Sequence, residues 1–146
     1  MDTLFVAMPE LDAYKLALIG LAILCLIPLI QSFLAAPLAF IKDEQQPGMP
    51  IKGDHSLFSF RVLRTYSNSV ENLPAMGLAV VMAIMLSVSA SLVNWLVIIH
   101  LLARLAFWFF YYSGIGKVAG GPRTMSYVVG LLSNIMLVGA IIYVLI

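Results

Sequence analysis

The sequence predicts an all-α integral membrane protein in which four transmembrane helices form one domain over residues 1–146. Of the 146 residues, 62% are hydrophobic and 10% are charged, and the mean hydropathy is +1.04. Soluble domains are typically about 45–50% apolar and about 25% charged, so this composition belongs to the membrane class. The net charge of +1 does not give the excess of basic residues that is typical of a nucleic-acid-binding protein.

Four apolar segments are long enough to span a bilayer, because the hydrocarbon core needs about 20 apolar residues per helix. Residues 42–56 form a polar loop rich in turn formers, and residues 114–122 form a glycine-rich turn. Residues 72–103 carry no Asp, Glu, Lys or Arg and are too long for one span, so a tight turn is expected within them, marked by Ser87, Ser89, Ser91 and Asn94. The predicted spans are about 14–41, 57–88, 93–113 and 123–146.

The first span is expected to be a permanent membrane helix. Residues 16–41 carry no charge, and the segment before them is acidic, which is not typical of a signal peptide. Pro28 and Pro37 are expected to kink the helix, since neighbouring helices can satisfy the backbone groups that proline frees. Cys25 lies in the middle of the apolar run, where we expect a buried cysteine that behaves as a small hydrophobe.

The distribution of basic residues predicts the orientation. The second loop has no Lys or Arg, whereas six basic residues lie in or beside the first and third loops: Lys42, Lys52, Arg61, Arg64, Lys117 and Arg123. Cytoplasmic loops of membrane proteins carry an excess of Lys and Arg. The first and third loops are therefore expected in the cytoplasm and both termini on the other side.

Polar side chains form two narrow stripes on the predicted helices. Arg61, Arg64, Asn68 and Glu71 recur at i, i+3, i+7 and i+10 in the second helix, which places them on one face. His100, Arg104, Phe107 and Tyr111 recur at i, i+4, i+7 and i+11 in the third.

Arg104 lies about halfway along its span, and a charge at that depth costs roughly 2.5–3.5 kcal/mol on insertion scales. Glu71 is the nearest candidate counterion, so we predict a Glu71–Arg104 ion pair between the second and third helices. A purely structural clamp is an equally good interpretation of that pair. His100 could ligate haem or a metal ion, but no second His lies within a span, so a packed histidine is favoured over a ligand.

The fourth helix opens with Pro122 and Arg123. Proline is favourable in a first helical turn, and a helix N-terminus that also carries an arginine makes a good anion site. The alternative is that Arg123 is simply another basic residue on the cytoplasmic side.

These residues resemble the MAPEG family, the membrane-associated proteins of eicosanoid and glutathione metabolism. The pattern RxxxNxxE (Arg64, Asn68, Glu71) early in the second helix resembles the family's signature, and Pro74 follows it. ARLAFWFFY (residues 103–111) is similar to the family's third-helix pattern, and PRTMSY (residues 122–127) is similar to a region of the prostaglandin-forming member. The resemblance covers essentially the whole chain.

The resemblance implies a homotrimer that binds glutathione between neighbouring subunits near the cytoplasmic face. It implies that Arg64 and Asn68 contact the glutathione backbone and carboxylates. It implies that Glu71 either binds the glutathione amino group or pairs with Arg104. The catalytic residues implied are Arg123, which would stabilise the thiolate, Tyr111, which would line the site, and Thr124. Further site residues carried over are Arg104, Tyr127 and Lys42, the last in place of a loop arginine. Phe107 departs from the family, since that position is often tyrosine.

The function implied is a membrane-embedded glutathione transferase that activates the glutathione thiol for attack on an apolar electrophile or lipid, with glutathione peroxidase activity on lipid hydroperoxides as an extension. Membrane lipids are the other partners implied. Two alternatives stay open. The first is a non-catalytic, lipid-binding member of the family. The second is a small proton-coupled transporter in which Glu71, Arg104 and His100 relay protons. The short chain favours a bacterial inner-membrane protein.

Overall fold

A computed structural model of the chain describes residues 9–117 and 119–146. Within these residues, four helices are long and apolar enough to cross a membrane, which confirms the predicted all-helical, multi-pass fold. They are α1 (Lys15–Ala35), α2 (Phe58–Met85), α3 (Ala90–Ser113) and α4 (Pro122–Leu145). The prediction that the chain begins without a signal peptide concerns residues 1–15, of which residues 1–8 lie outside the described part.

Irregular helical turns extend α1 at both ends. A 3₁₀ segment, Pro9–Tyr14, precedes it, and a π-helical segment, Ala36–Phe40, follows it. Pro28 lies inside α1, and Pro37 lies in the π-helical segment. A π-turn interrupts the regular hydrogen-bond ladder of an α-helix, and a proline, which lacks the backbone N–H, fits such an interruption.

The predicted turn between the second and third helices is present. Ser87 adopts a left-handed conformation with φ of 54°. The Val88 N–H donates to the Ala83 carbonyl at 2.9 Å, and the Ser87 N–H donates to the Ile84 carbonyl at 3.1 Å. This is the Schellman pattern, which provides partners for carbonyls in the last turn of a helix.

Helix α3 packs against α1, α2 and α4. All four helices contribute fully buried apolar side chains to the core, among them Ala17, Met76, Val80, Val97 and Leu137. Large apolar side chains cover the outer surface as well, as expected for helices that face lipid. Cys25 is exposed on this outer surface, so the prediction that it is buried is wrong. An apolar run has no amphipathic period, and the sequence therefore does not show which of its residues faces inward.

Asn94 joins α3 to the beginning of α1. Its side-chain oxygen accepts a hydrogen bond from the Ala17 N–H at 2.8 Å, and its nitrogen donates to the Ala13 carbonyl at 2.8 Å. The N–H groups in the first turn of a helix have no partner within the helix. Asn94 supplies one for Ala17, which is fully buried.

Replacing Asn94 should therefore destabilise the bundle. In Asn94→Ala, the buried Ala17 N–H loses its acceptor, and we expect a loss of about 1–3 kcal/mol in the free energy of unfolding. Thermal unfolding of the detergent-purified protein, followed by circular dichroism, measures it. Trp95→Leu is the matched control, because the neighbouring Trp95 is 66% exposed. Equal melting temperatures for Asn94→Ala and Trp95→Leu would contradict this role.

Candidate functional site

One end of the bundle contains a polar cavity of about 240 Å³. It lies where α2 and α4 begin and α3 ends. Its walls are Arg64, Asn68 and Glu71 from α2, Phe107 and Tyr111 from α3, and Arg123, Thr124 and Tyr127 from α4. The fold thus brings together most of the residues that the sequence analysis singled out. Their individual roles remain predictions.

Glu71 pairs with an arginine of its own helix. Its Oε1 lies 3.2 Å from Nη1 of Arg64, two helical turns away. Both side chains are about half exposed, at 43% for Arg64 and 54% for Glu71. The predicted Glu71–Arg104 ion pair is therefore wrong. The heptad spacing puts Arg64 and Glu71 on the same edge of α2, within reach of one another, while Asn68 between them points inward.

Arg104 is held by neutral partners. Its Nη1 donates to Oδ1 of Asn68 at 2.7 Å, and its Nη2 donates to the Tyr127 carbonyl at 3.5 Å. Its guanidinium also lies over the rings of Phe107 and Tyr127, at 5.2 and 5.7 Å from their centroids. Aromatic faces attract a cation. Arg104 therefore keeps a positive charge just behind the cavity wall, and Asn68 is occupied in holding it.

Close packing of α3 and α4 fixes this part of the site. A Cβ on Gly130 would lie 2.8 Å from Nη2 of Arg104, so only glycine leaves room for the guanidinium there. The Gly130 carbonyl accepts a hydrogen bond from Nδ1 of His100 at 2.9 Å. His100 is 1% exposed, in agreement with the packed histidine that the sequence favoured. Among residues 9–117 and 119–146, no group of His, Cys, Asp and Glu could hold a metal ion.

Arg123 is the most enclosed cation of the cavity wall. It is 4% exposed, and its guanidinium lies 5.2 Å from the ring centroid of Tyr111. Its Nη2 donates to the Gly116 carbonyl at 3.4 Å, and its Nη1 lies 3.3 Å from Nδ1 of His55. Its Nε is buried without a hydrogen-bond partner in the described part of the chain, as are the Nε atoms of Arg61 and Arg104.

Local sequence explains how Arg123 reaches this place. Pro122 occupies the first turn of α4, as predicted. Gly116 has φ of 93°, and a Cβ there would lie 2.8 Å from the Pro122 ring, so glycine lets the loop approach the helix closely. Thr124 accepts a hydrogen bond from the Gly120 N–H at 3.1 Å, which ties the loop to the same helix end.

His55 is a site residue that sequence reasoning missed. It comes from the first loop, and its ring centroid lies 5.1 Å from that of Phe60 and 5.3 Å from that of Tyr111. Nη1 of Arg61 donates to its backbone carbonyl at 2.8 Å. Partial burial, and secondly the positive charge of Arg123, hold the pKa of His55 below its usual value. A loop has no helical period, so no spacing in the sequence connects His55 with the two stripes.

Lys42 lies elsewhere. It is exposed and borders a separate surface depression near Glu44 and Ser56. Within this chain it is not among the residues that line the polar cavity.

The cavity is electropositive. Arg64 and Arg123 line it, Glu71 offsets one charge, and Arg104 stands behind Asn68. Clefts lined by one sign of charge concentrate counter-ions. The arrangement suits an anion with several acceptor oxygens, and α4 begins beside the same cavity.

Fold and site together define a multi-pass membrane protein with a basic cavity at one end of a four-helix bundle. A sequence model of the MAPEG family matches residues 16–143, nearly the whole chain. The chain belongs to the MAPEG family. A search of curated proteins returned no significant match.

The hydrogen-bond partners in the site predict different costs for two substitutions. Asn68→Ala removes the partner of a buried guanidinium and should lower the free energy of unfolding by about 1.5–3 kcal/mol. Glu71→Gln weakens a half-exposed pair and should cost about 1 kcal/mol or less. Thermal unfolding of both variants in one detergent compares them. A larger loss for Glu71→Gln would indicate that Glu71, and not Asn68, is the partner on which Arg104 depends.

Proposed function

We propose that this MAPEG protein is a membrane-embedded glutathione transferase that activates the glutathione thiol for attack on apolar electrophiles. The observation that carries the proposal is Arg123, which is buried in the cavity wall at a helix N-terminus. Its Nε is buried and lacks a partner among the described residues. Such a group suits an anion that forms inside the cavity.

Charge favours glutathione as the ligand. Glutathione carries two carboxylates and one amino group, so it is a net anion at neutral pH. Arg64 and Arg104 would attract the carboxylates, and Glu71 would accept the amino group. Asn68, already bonded to Arg104, would act through that arginine. Tyr127 would line the pocket, and Lys42 would contact a carboxylate only if assembly brings it to a cavity.

The chemistry requires a thiolate, because the thiolate and not the thiol is the nucleophile. A free thiol is mostly protonated near pH 7, and a nearby guanidinium, which is always charged, stabilises the thiolate. The thiol proton leaves to solvent. The sulfur lone pair then forms the new bond to the electrophilic carbon, and the leaving group departs with the electrons of the bond that breaks. Tyr111 and Thr124 would contribute hydroxyl groups beside the sulfur.

The same thiolate could reduce a lipid hydroperoxide. The sulfur attacks the outer oxygen, the O–O bond breaks, and the alkoxide takes a proton to become an alcohol. A second glutathione then displaces hydroxide from the sulfenic acid, which gives the disulfide and water. Two glutathiones are oxidised as one hydroperoxide is reduced, so no further reductant is required.

The same charges support a proposal for how the subunits assemble and how they are oriented in the membrane. Half-exposed Arg64 and Glu71 would face lipid in a lone chain, and charges in lipid are expensive. A neighbouring subunit that covers them would remove this cost, which supports a homotrimer with glutathione between subunits. Basic residues beside the cavity support a cytoplasmic location for that end, where glutathione keeps thiols reduced. The bacterial inner membrane is the proposed setting.

A non-catalytic lipid-binding protein is the second candidate. An apolar depression of about 480 Å³ lies between α1 and α3, lined by Leu34, Leu38, Leu105, Trp108, Phe109, Tyr112 and Ser113. An acyl chain would fit such a surface. Tight binding of lipid together with no turnover on a panel of electrophiles would favour this candidate over the transferase.

Arg123→Ala should reduce kcat for conjugation of glutathione to chlorodinitrobenzene on the order of 10²–10³-fold, the usual cost of removing one preorganised donor. Arg123→Lys should recover part of the loss, because lysine keeps the charge but not the planar fork. Steady-state kinetics on detergent-purified protein measure both variants.

Size-exclusion chromatography with light scattering is the control for assembly. Both variants should elute with the same mass as the wild type, which we expect to be a trimer. Wild-type kcat in Arg123→Ala would refute the role of Arg123.

A further inference from the structure

The first loop is fastened to the catalytic arginine through one side chain. Nδ1 of His55 lies 3.3 Å from Nη1 of Arg123, and the two side chains meet over the ring of Tyr111. Loop, α3 and α4 therefore converge on this contact. The motifs of the sequence do not include His55, and nothing in the proposed chemistry requires it to touch glutathione.

The contact determines the protonation state of the imidazole. A guanidinium has five N–H donors and no acceptor. A hydrogen bond between Nη1 of Arg123 and Nδ1 of His55 therefore requires that Nδ1 is unprotonated. His55 is then neutral, with its proton on Nε2. A protonated imidazole has donors at both nitrogens and could not accept from Arg123.

We infer that His55 is a positioning residue, which holds the Arg123 guanidinium at the cavity wall when neutral and releases it when protonated. The inference rests on the proposed function, since it concerns the orientation of the group that would stabilise the thiolate. With the Gly116 carbonyl and the Tyr111 ring, His55 gives the guanidinium a third point of attachment. These three contacts involve Nη1, Nη2 and the π-face of the guanidinium.

The surrounding charges set the direction of the pH effect. His55 faces Arg123 from α4, Arg61 and Arg64 from α2, and Asp54 from its own loop, with the Tyr111 phenol beside it on α3. The arginines disfavour an imidazolium, and Asp54 favours it. Burial and Arg123 hold the pKa of His55 below about 6.5, the ordinary histidine value. The holding contact is therefore complete at neutral pH and is lost as the pH falls through that lowered pKa.

The loop itself does not depend on the imidazole nitrogens. Arg61 donates to the His55 and Ser56 carbonyls at 2.8 and 3.0 Å, and Gln45 exchanges two hydrogen bonds with the backbone of Lys52 at 2.7 and 2.9 Å. Substitution of the His55 side chain leaves these backbone contacts in place. A change in activity can therefore be separated from collapse of the loop.

Three substitutions distinguish the two ring nitrogens. Asn places an amide oxygen near the position of Nδ1, Gln places it nearer that of Nε2, and Ala removes both. We expect His55→Asn to keep most of the wild-type kcat at neutral pH, and His55→Gln and His55→Ala to lose on the order of 10–100-fold, since small misplacements of a catalytic group are costly. Lys52→Ala, an exposed substitution in the same loop, should leave kcat unchanged.

The dependence of the conjugation rate on pH distinguishes this role from a purely structural one, because a structural role would leave it unchanged. Conjugation of glutathione to chlorodinitrobenzene, measured from about pH 5 to about pH 8, should show an acid limb in the wild type. Protonation of the glutathione thiolate gives an acid limb in every variant. His55→Asn cannot titrate, so the rate should fall less steeply at low pH than in the wild type, because only the limb of the thiolate remains. Wild-type rates and profile in His55→Ala, or the wild-type acid limb in His55→Asn, would overturn the inference.

A second measurement needs no glutathione. The chain contains two histidines, so His55→Asn assigns the imidazole NMR signals in detergent. We expect Arg123→Ala to raise the pKa of His55, because a neighbouring positive charge and a hydrogen bond to the neutral form are both removed. An unchanged titration would refute the contact even if the wild type is a transferase. A shifted titration, with a wild type that does not conjugate glutathione, would instead refute the proposed function and leave the contact established.

Discussion

Placing guanidinium groups in an apolar helix bundle is the constraint on which this structure depends. An unsatisfied charge at membrane depth is expensive, and each buried arginine of the site meets this cost differently. Arg104 donates to the Asn68 amide oxygen and the Tyr127 carbonyl, and it lies over the rings of Phe107 and Tyr127. Arg123 uses a carbonyl, an imidazole and a phenol ring. Because neither guanidinium is neutralised by a carboxylate within hydrogen-bond distance in the described residues, both keep their charge for a ligand.

Because its partners are neutral, each buried arginine is held in place and keeps the charge that can bind an anion. An arginine paired with a buried carboxylate forms a neutral unit, which attracts anions weakly. Neutral acceptors bind some of the N–H groups of each guanidinium and leave its charge intact. Glu71 stays at the half-exposed rim with Arg64, where water or a second subunit can reach it. The electropositive cavity therefore results from the way in which the bundle accommodates its charges.

Much of this architecture could be predicted from the sequence. Hydropathy identified four spans, and the helical period identified the two stripes that meet in the cavity. The period shows which residues share a face, but not which of them points inward. For that reason it could not distinguish Asn68 from Glu71 as the partner of Arg104, and it could not show that Cys25 faces outward.

The loops were predicted less completely. Arg61 and Gln45 connect the first loop to α2, through the His55 carbonyl and the Ser59 hydroxyl. Such contacts have no periodic pattern in the sequence. Lys42 was carried over from the family resemblance in place of a loop arginine. It borders a different depression, and its role stays a prediction.

The most direct test of the account is the ionisation of bound glutathione. Rapid mixing of the detergent-purified protein with glutathione, followed by thiolate absorbance in the ultraviolet, measures it as a function of pH. The account predicts a thiolate signal that saturates with glutathione, titrates well below the pKa of about 8.5 of a free cysteine thiol and disappears in Arg123→Ala. Saturable glutathione binding by calorimetry without any thiolate signal at neutral pH would contradict it.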